Sequence, residues 1–123
     1  MRYTIDKHER YVVIEPLAAL LDGSTAAILK GEFMLRNTSG QRNIILDLNQ
    51  VHGITEEGMR TGLLAHRLCH SVGGMFILAR LQPEVELFLK VAKLDRYFTI
   101  VKKVIDAEDL IFSNEIQRDL IGG

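Results

Sequence analysis

A chain of 123 residues, 47% of them apolar and 25% charged, carries enough apolar side chain to bury a core and is set apart by composition from disordered and fibrous sequences. Fifteen basic against sixteen acidic residues leave a formal net charge of -1, without the positive excess that draws a protein onto nucleic acid or an anionic membrane. Cys69 is the only cysteine, which excludes an internal disulfide and suits a reducing compartment.

Tyr3 to Asp6 and Tyr11 to Glu15 are rich in β-branched and aromatic residues and flank the charged turn Lys7-His8-Glu9-Arg10, which predicts an opening hairpin. Asp22-Gly23-Ser24-Thr25 has helix-start chemistry, and Ala26, Ala27, Leu29, Phe33 and Met34 follow at spacings that share a face. Turn formers from Asn37 to Gly40 end that helix. Asn43 to Leu48 contains the unbroken apolar run Ile44-Ile45-Leu46, the pattern of a strand covered on both faces, and is expected at the centre of the sheet. A helix from about Glu56 to Val72 places Met59, Leu63, Leu64, Leu68, Cys69 and Val72 inward and leaves Arg60, Arg67 and His70 to water, and Gly73-Gly74 ends it.

Met75 to Ala79 is a second continuous apolar strand, after which Pro83 opens a helix with Val85, Phe88, Leu89 and Ala92 inside. A short strand around Phe98 to Val101 and a last helix beginning near Asp106, with Ala107, Leu110 and Ile111 inward, complete the pattern. Ser113-Asn114 either caps a further short helix or starts a frayed tail. The order ββαβαβαβα demands crossover connections. The expected fold is therefore α/β: one domain over residues 1–123, with a mixed, mostly parallel sheet, an N-terminal hairpin and about four helices. Arg2, Asp6, Lys7, Glu9 and Arg10 interrupt the start where a signal peptide would be apolar, and no run reaches the roughly 20 apolar residues of a membrane span, so a cytoplasmic location is expected.

Phosphate-loop, dinucleotide-loop, nucleophile-elbow and HExxH zinc patterns are missing from the sequence, so no nucleophile, base and orienter can be assembled and an enzyme is not expected. His66 and His70 stand four apart on one helix, with His52 and Cys69 as conceivable further metal ligands, but without the paired motif of a four-ligand zinc site they read as polar residues on a solvated face. No metal or cofactor is expected. Lys90, Lys93, Arg96, Lys102 and Lys103, interleaved with Tyr97 and Phe98, make the last third basic and read as solvated ends of a helix and a strand rather than a nucleic-acid patch. Ile54-Thr55-Glu56-Glu57-Gly58 feeds the second helix: Thr55 can cap it, and two carboxylates beside the free N–H groups of its first turn are each stabilising by about 0.3 to 1 kcal/mol. Capping explains these residues, and so does a functional surface.

Three segments in this order resemble the STAS family of anti-sigma-factor antagonists over Tyr11 to Leu110. Ile44-Ile45-Leu46-Asp47-Leu48 is similar to the family's central strand ending in aspartate, Thr55-Glu56-Glu57-Gly58 occupies its Asp-Ser-Ser-Gly phosphorylation motif, and Leu94-Asp95-Arg96-Tyr97-Phe98 resembles its late Leu-Asp-(Arg/Lys)-x-Phe segment. Gly73-Gly74 and Leu81-Gln82-Pro83-Glu84-Val85 fall in register. The resemblance implies a binding protein without catalysis whose partner is a histidine-kinase-like anti-sigma factor that phosphorylates the motif's second serine. That serine corresponds to Glu57, which cannot form a stable phosphoester, so no switch by phosphorylation is expected there. Glu57 either imitates phosphoserine or belongs to a surface rebuilt for constitutive binding. The implied docking set is Asp47, Thr55, Glu56, Glu57, Gly58 and Arg60, with Thr55, Thr61 and Ser71 as substitute phosphosites. A homodimer is compatible with the sequence. The alternative within the family is a non-catalytic subunit or scaffold of a larger assembly such as a transporter ATPase complex.

Overall fold

The computed structural model describes residues 1–121. The chain opens with strands β1 (Tyr3–Lys7) and β2 (Val12–Pro16), an antiparallel hairpin with Ile5 opposite Ile14. A two-residue strand β3 (Leu20–Leu21) leads into helix α1 (Gly23–Thr38). Strand β4 (Ile44–Asp47), whose four residues are all buried, precedes a second two-residue strand, β5 (Gly53–Ile54), and helix α2 (Glu56–Ser71). Strand β6 (Phe76–Ala79), helix α3 (Pro83–Val91), strand β7 (Thr99–Val101) and helix α4 (Val104–Leu120) follow. The main sheet has the order β1-β2-β4-β6-β7, parallel except for β1, and β4 is its central strand as its apolar run predicts.

Alternation along the strands divides the core between two faces. Val12, Ile14, Ile44, Leu46, Phe76 and Leu78 meet Leu29 and Phe33 of α1, Met59, Ala65 and Cys69 of α2, and Val85 and Leu89 of α3. On the other face Tyr11, Ile45, Ile77 and Ala79 meet Ala107 and Ile111 of α4 alone. Three helices therefore cover one face and a single helix the other. Among the described residues, no helix is long and apolar enough to cross a membrane.

Several expected faces are corrected. Met34, Val72 and Leu110 are exposed at 47, 41 and 41%, and Ala27 and Ala92 are exposed as well. Val72 is the C-cap of α2 and Ala92 that of α3, the residues at which each helix ends against solvent, so a helical period carried to the last residue places neither correctly. The last helix starts at Val104 rather than near Asp106 and runs through Ser113-Asn114 without a break. Tertiary contacts hold its second half: Glu115 is buried, and the Asn114 amide donates to the Gly73 carbonyl at 3.3 Å.

Candidate functional site

Strands β3 and β5, which the sequence does not announce, build the site. They pair in parallel, with Leu20 opposite Gly53 and Leu21 opposite Ile54, and the Ala19 carbonyl accepts the N–H groups of His52 at 2.7 Å and Gly53 at 3.0 Å. This short ladder ties the segment entering α1 to the segment entering α2, so two helix N-termini stand side by side. Two-residue strands are too short for any hydrophobic period to register, and the pairing partners lie 33 residues apart.

Each N-terminus is capped by its own side chain. Asp22 accepts the N–H groups of Ser24 and Thr25, both at 3.1 Å, while the Thr25 hydroxyl accepts the Asp22 N–H at 2.8 Å, a reciprocal capping box. Thr55 caps α2 as expected: its hydroxyl accepts the Gly58 N–H at 3.3 Å and donates to the Leu21 carbonyl at 3.2 Å. The same carbonyl accepts the Thr55 N–H at 2.9 Å. Gly58 is required by this crossing, since a Cβ there would stand 2.5 Å from the Leu21 carbonyl oxygen and 3.2 Å from Leu21 Cβ. Gly58→Ala is expected to push α2 off β3 and to destabilise by about 1–3 kcal/mol, measured as a fall in the urea midpoint; an unchanged midpoint contradicts this close approach.

Three carboxylates gather at the paired helix starts. Glu57 Cγ lies 3.9 Å from the position a Gly23 side chain would occupy, directly beside the first turn of α1. The Glu57 carboxyl is held below the usual carboxylate range by its own backbone N–H and by the Thr55 hydroxyl, with Arg60 adding to this, burial opposing it slightly and Asp22 opposing it as a like charge. The Asp22 carboxyl is held down by the Thr25 N–H and by Ser24. Glu56 projects into water and pairs with Arg60 one turn along at 2.6 Å, an exposed ion pair that contributes little to stability. The result is an exposed acidic patch in which Asp22 and Glu57 are held below the usual carboxylate range, with Arg60 at its edge.

Asp47 lies apart from this patch. It is buried at the end of β4, on the sheet face that carries Ile45, and its carboxylate accepts Arg80 Nε at 3.0 Å, an Arg80 terminal nitrogen at 2.6 Å and the Asn49 N–H at 3.1 Å. Arg80 takes up this position at a positive φ of 57° and lies 3.7 Å from Glu15. The carboxylate therefore anchors the turn after β6 with both oxygens engaged. Of the substitute phosphosites, the Thr55 hydroxyl is engaged in capping. Thr61 is buried and its hydroxyl donates to the Glu57 carbonyl at 3.3 Å, while the exposed Ser71 hydroxyl donates to the Leu68 carbonyl at 2.9 Å.

The remaining polar candidates do not converge. His66 and His70 stack in parallel with ring centroids 6.0 Å apart, and His66 packs on Tyr97 at 4.6 Å. Cys69 points into the core, where burial pushes its thiol up to about 12, and His52 pairs with Glu84 at 2.9 Å instead of approaching the other two histidines. His66 is half-buried rather than solvated. Lys90, Lys93, Arg96, Lys102 and Lys103 are exposed, but Phe98 is a core residue against Phe76 rather than a surface aromatic among them. Beneath the acidic patch the core holds an apolar gap of about 20 Å³, lined by Leu29, Phe33, Met59 and Leu89 among others, far below the roughly 300 Å³ of a small-molecule site.

Comparison with known proteins adds to this geometry. The STAS domain model matches residues 3–107. The chain is 29% identical over 85 residues to BtrV of Bordetella bronchiseptica, named as a candidate anti-sigma factor antagonist, covering 69% of this chain and 72% of that one. A crystal structure of a candidate anti-sigma factor antagonist from Thermotoga maritima superposes with a TM-score of 0.81 at 22% identity, over 89% of this chain and 93% of that one. The anti-sigma factor antagonist SpoIIAA of Bacillus in its unphosphorylated form does so with a TM-score of 0.72 at 19% identity, over 89% and 97%. With the sheet order, the four helices and a family match over most of its length in agreement, the chain belongs to the STAS domain family.

Proposed function

We propose that this protein is an anti-sigma-factor antagonist, a cytoplasmic binding protein without catalysis that docks on a histidine-kinase-like anti-sigma factor through the acidic patch at the paired helix starts. Thr55, Glu56, Glu57, Gly58 and Arg60 form the docking surface, and Asp47, held by Arg80 at the end of β4, stands outside it. The observation that carries this reading is Glu57: an exposed, ionised carboxylate on the first turn of α2, at the position where the family resemblance places the phosphorylated serine. Phosphate there would add about -1.5 to -2 charge against the free N–H groups of the helix start. Glu57 supplies a fixed charge of -1 on the same turn, so the surface has one electrostatic state and does not respond to ATP.

The test is incubation of the wild type and Glu57→Ser with the kinase recovered from the native cell, with and without ATP, followed by mass spectrometry and titration calorimetry. Wild type is expected to take up no phosphate and to bind with the same affinity in both conditions. Glu57→Ser is expected to gain one phosphate and then to lose affinity at least about tenfold, equal to about 1.4 kcal/mol. Phosphate on wild-type Thr55, Thr61 or Ser71, or an affinity that ATP leaves unchanged in a phosphorylated Ser variant, would show the reading to be wrong.

A further inference from the structure

His66, in the second half of α2, is packed into place by aromatic rings. Its ring lies parallel to that of His70 at 6.0 Å, against Tyr97 at 4.6 Å and at right angles to Phe98 at 6.0 Å. Tyr97 and Phe98 belong to the turn that leads from α3 into β7. Phe98 reaches α2 as well, its ring standing 3.5 Å from the position of a Gly62 Cβ, one turn before His66. The two rings and His66 therefore join this turn to the docking helix.

The His66 Nδ1 is shut off from solvent and has no hydrogen-bond partner. Two other buried side-chain nitrogens among the described residues share this condition, Nε of Arg36 and of Arg42, but their guanidinium groups face Glu32 and Glu115. His66 has no such carboxylate. His70 meets it from its own helix and Tyr97 from the turn, and the cleft beside the two histidines is walled by Met75 and Phe76, by Thr99 at the start of β7 and by Asn114 of α4, none of them ionisable. Arg67, Asp95 and Arg96, its charged neighbours in α2 and in the turn, are exposed to water. A neutral imidazole fits this seat, with its proton on Nε2 and a lone pair on Nδ1. An imidazolium does not, because it carries an N–H on both nitrogens: the buried one would lack an acceptor, and the charge would stand beside His70. The Tyr97 ring attracts a cation, but it is exposed and tilted by 49°, so water screens that contact and nothing replaces the missing acceptor.

We propose that His66 is a proton-operated latch between α2 and the turn Leu94–Phe98. Neutral, it holds the turn against the helix through Tyr97. Protonated, it leaves its seat for water, the turn loosens and Phe98 loses part of its cover. The acidity of the ring agrees with this packing: burial, with His70 as the second cause, holds the His66 pKa below its ordinary value of 6.5. A histidine depressed in this way gives stability that is complete above 6.5 and is lost as pH falls from there through the folded value. That window lies above the usual carboxylate range, which separates the latch from the titration of aspartates and glutamates.

NMR of the imidazole C–H groups of the full chain, followed from about pH 8 to about pH 5, reads the latch without any substitution. The His66 midpoint is expected below that of the histidines in the urea-unfolded chain, and it should rise in His70→Asn, which removes the like charge. His66→Phe keeps a ring against Tyr97 and takes up no proton; His66→Gln, equally unable to charge, serves if the larger ring does not fold. Between about pH 7.5 and about pH 5.5 the urea midpoint of wild type should fall further than that of the variant. Over the same range amide exchange from Leu94 to Phe98 should quicken in wild type relative to the variant at equal pH. A His66 midpoint at or above the unfolded value would overturn the proposal, and so would urea midpoints or exchange rates that follow pH identically in wild type and variant. None of these results bears on docking at Glu57, which is read from kinase binding.

Discussion

Glu115→Ala is expected to destabilise the protein by about 2–3 kcal/mol, because Glu115 is the buried acceptor at the corner where β4, β6 and α4 meet. Its Oε1 accepts the Asn43 amide at 3.1 Å and Arg42 at 3.2 Å, and its Oε2 accepts Arg118 at 3.4 Å. Asn43, itself fully buried, donates its second amide hydrogen to the Arg10 carbonyl at 2.8 Å and accepts the Met75 N–H at 2.8 Å. Alanine would leave one Asn43 hydrogen without a partner and two guanidinium groups without their anion. Both arginines are partly exposed, which keeps the cost below that of a fully buried pair.

Glu115 also predicts an acid dependence. Burial pushes its carboxyl up, but Arg42, Asn43 and Arg118 outweigh burial and hold it below the usual carboxylate range. A group whose folded pKa is depressed contributes stability that is complete above its unfolded value, about 4.5, and is lost as pH falls through the folded one. Urea denaturation between about pH 6 and pH 3 should therefore show wild type losing more stability than Glu115→Gln. Equal losses in the two proteins contradict a Glu115 contribution.

Gly74→Ala is expected to cost about 3 kcal/mol or more and to reduce the yield of folded protein. A Cβ at Gly74 would lie 2.0 Å from the Arg42 carbonyl oxygen and 2.6 Å from its carbon, both backbone atoms that a rotamer change cannot move. The strand entries must separate to admit it, yet the Ile44 N–H donates to the Met75 carbonyl at 2.9 Å across this junction. Gly31→Ala is the internal control, since its methyl group meets nothing. Circular dichroism melts should give a large fall in Tm for Gly74→Ala and a rise for Gly31→Ala; similar melting points contradict the packing described at Gly74.

What sequence alone revealed of this fold depended on how local each signal was. Ile44-Ile45-Leu46 and Met75 to Ala79 were legible as buried strands because covering both faces leaves an unbroken apolar run. The start of α2 was legible to the residue because Thr55 and the two glutamates carry capping chemistry within one turn. Asn43, Arg42 and Glu115 were not, since Glu115 reaches partners 72 and 73 residues away and nothing around an isolated glutamate on a helix distinguishes a buried acceptor from a solvated one. The same limit applies at the site. Its acidic residues were readable from the sequence, but the ladder of β3 and β5 that sets α1 beside them was not, and Asp47 was grouped with them although Arg80 holds it inside.

The central claim is that the paired helix starts form the docking surface, and the most direct measurement is backbone amide NMR of the labelled protein titrated with the anti-sigma kinase recovered from the native cell. The account predicts that the largest shift changes fall on Thr55 to Arg60 and on Asp22 and Gly23, and that Glu57→Arg weakens the whole pattern without changing the unbound fold. Shift changes confined to the outer face of α4 around Ile105, Phe112 and Ile116, with Thr55 to Arg60 unmoved, would contradict it.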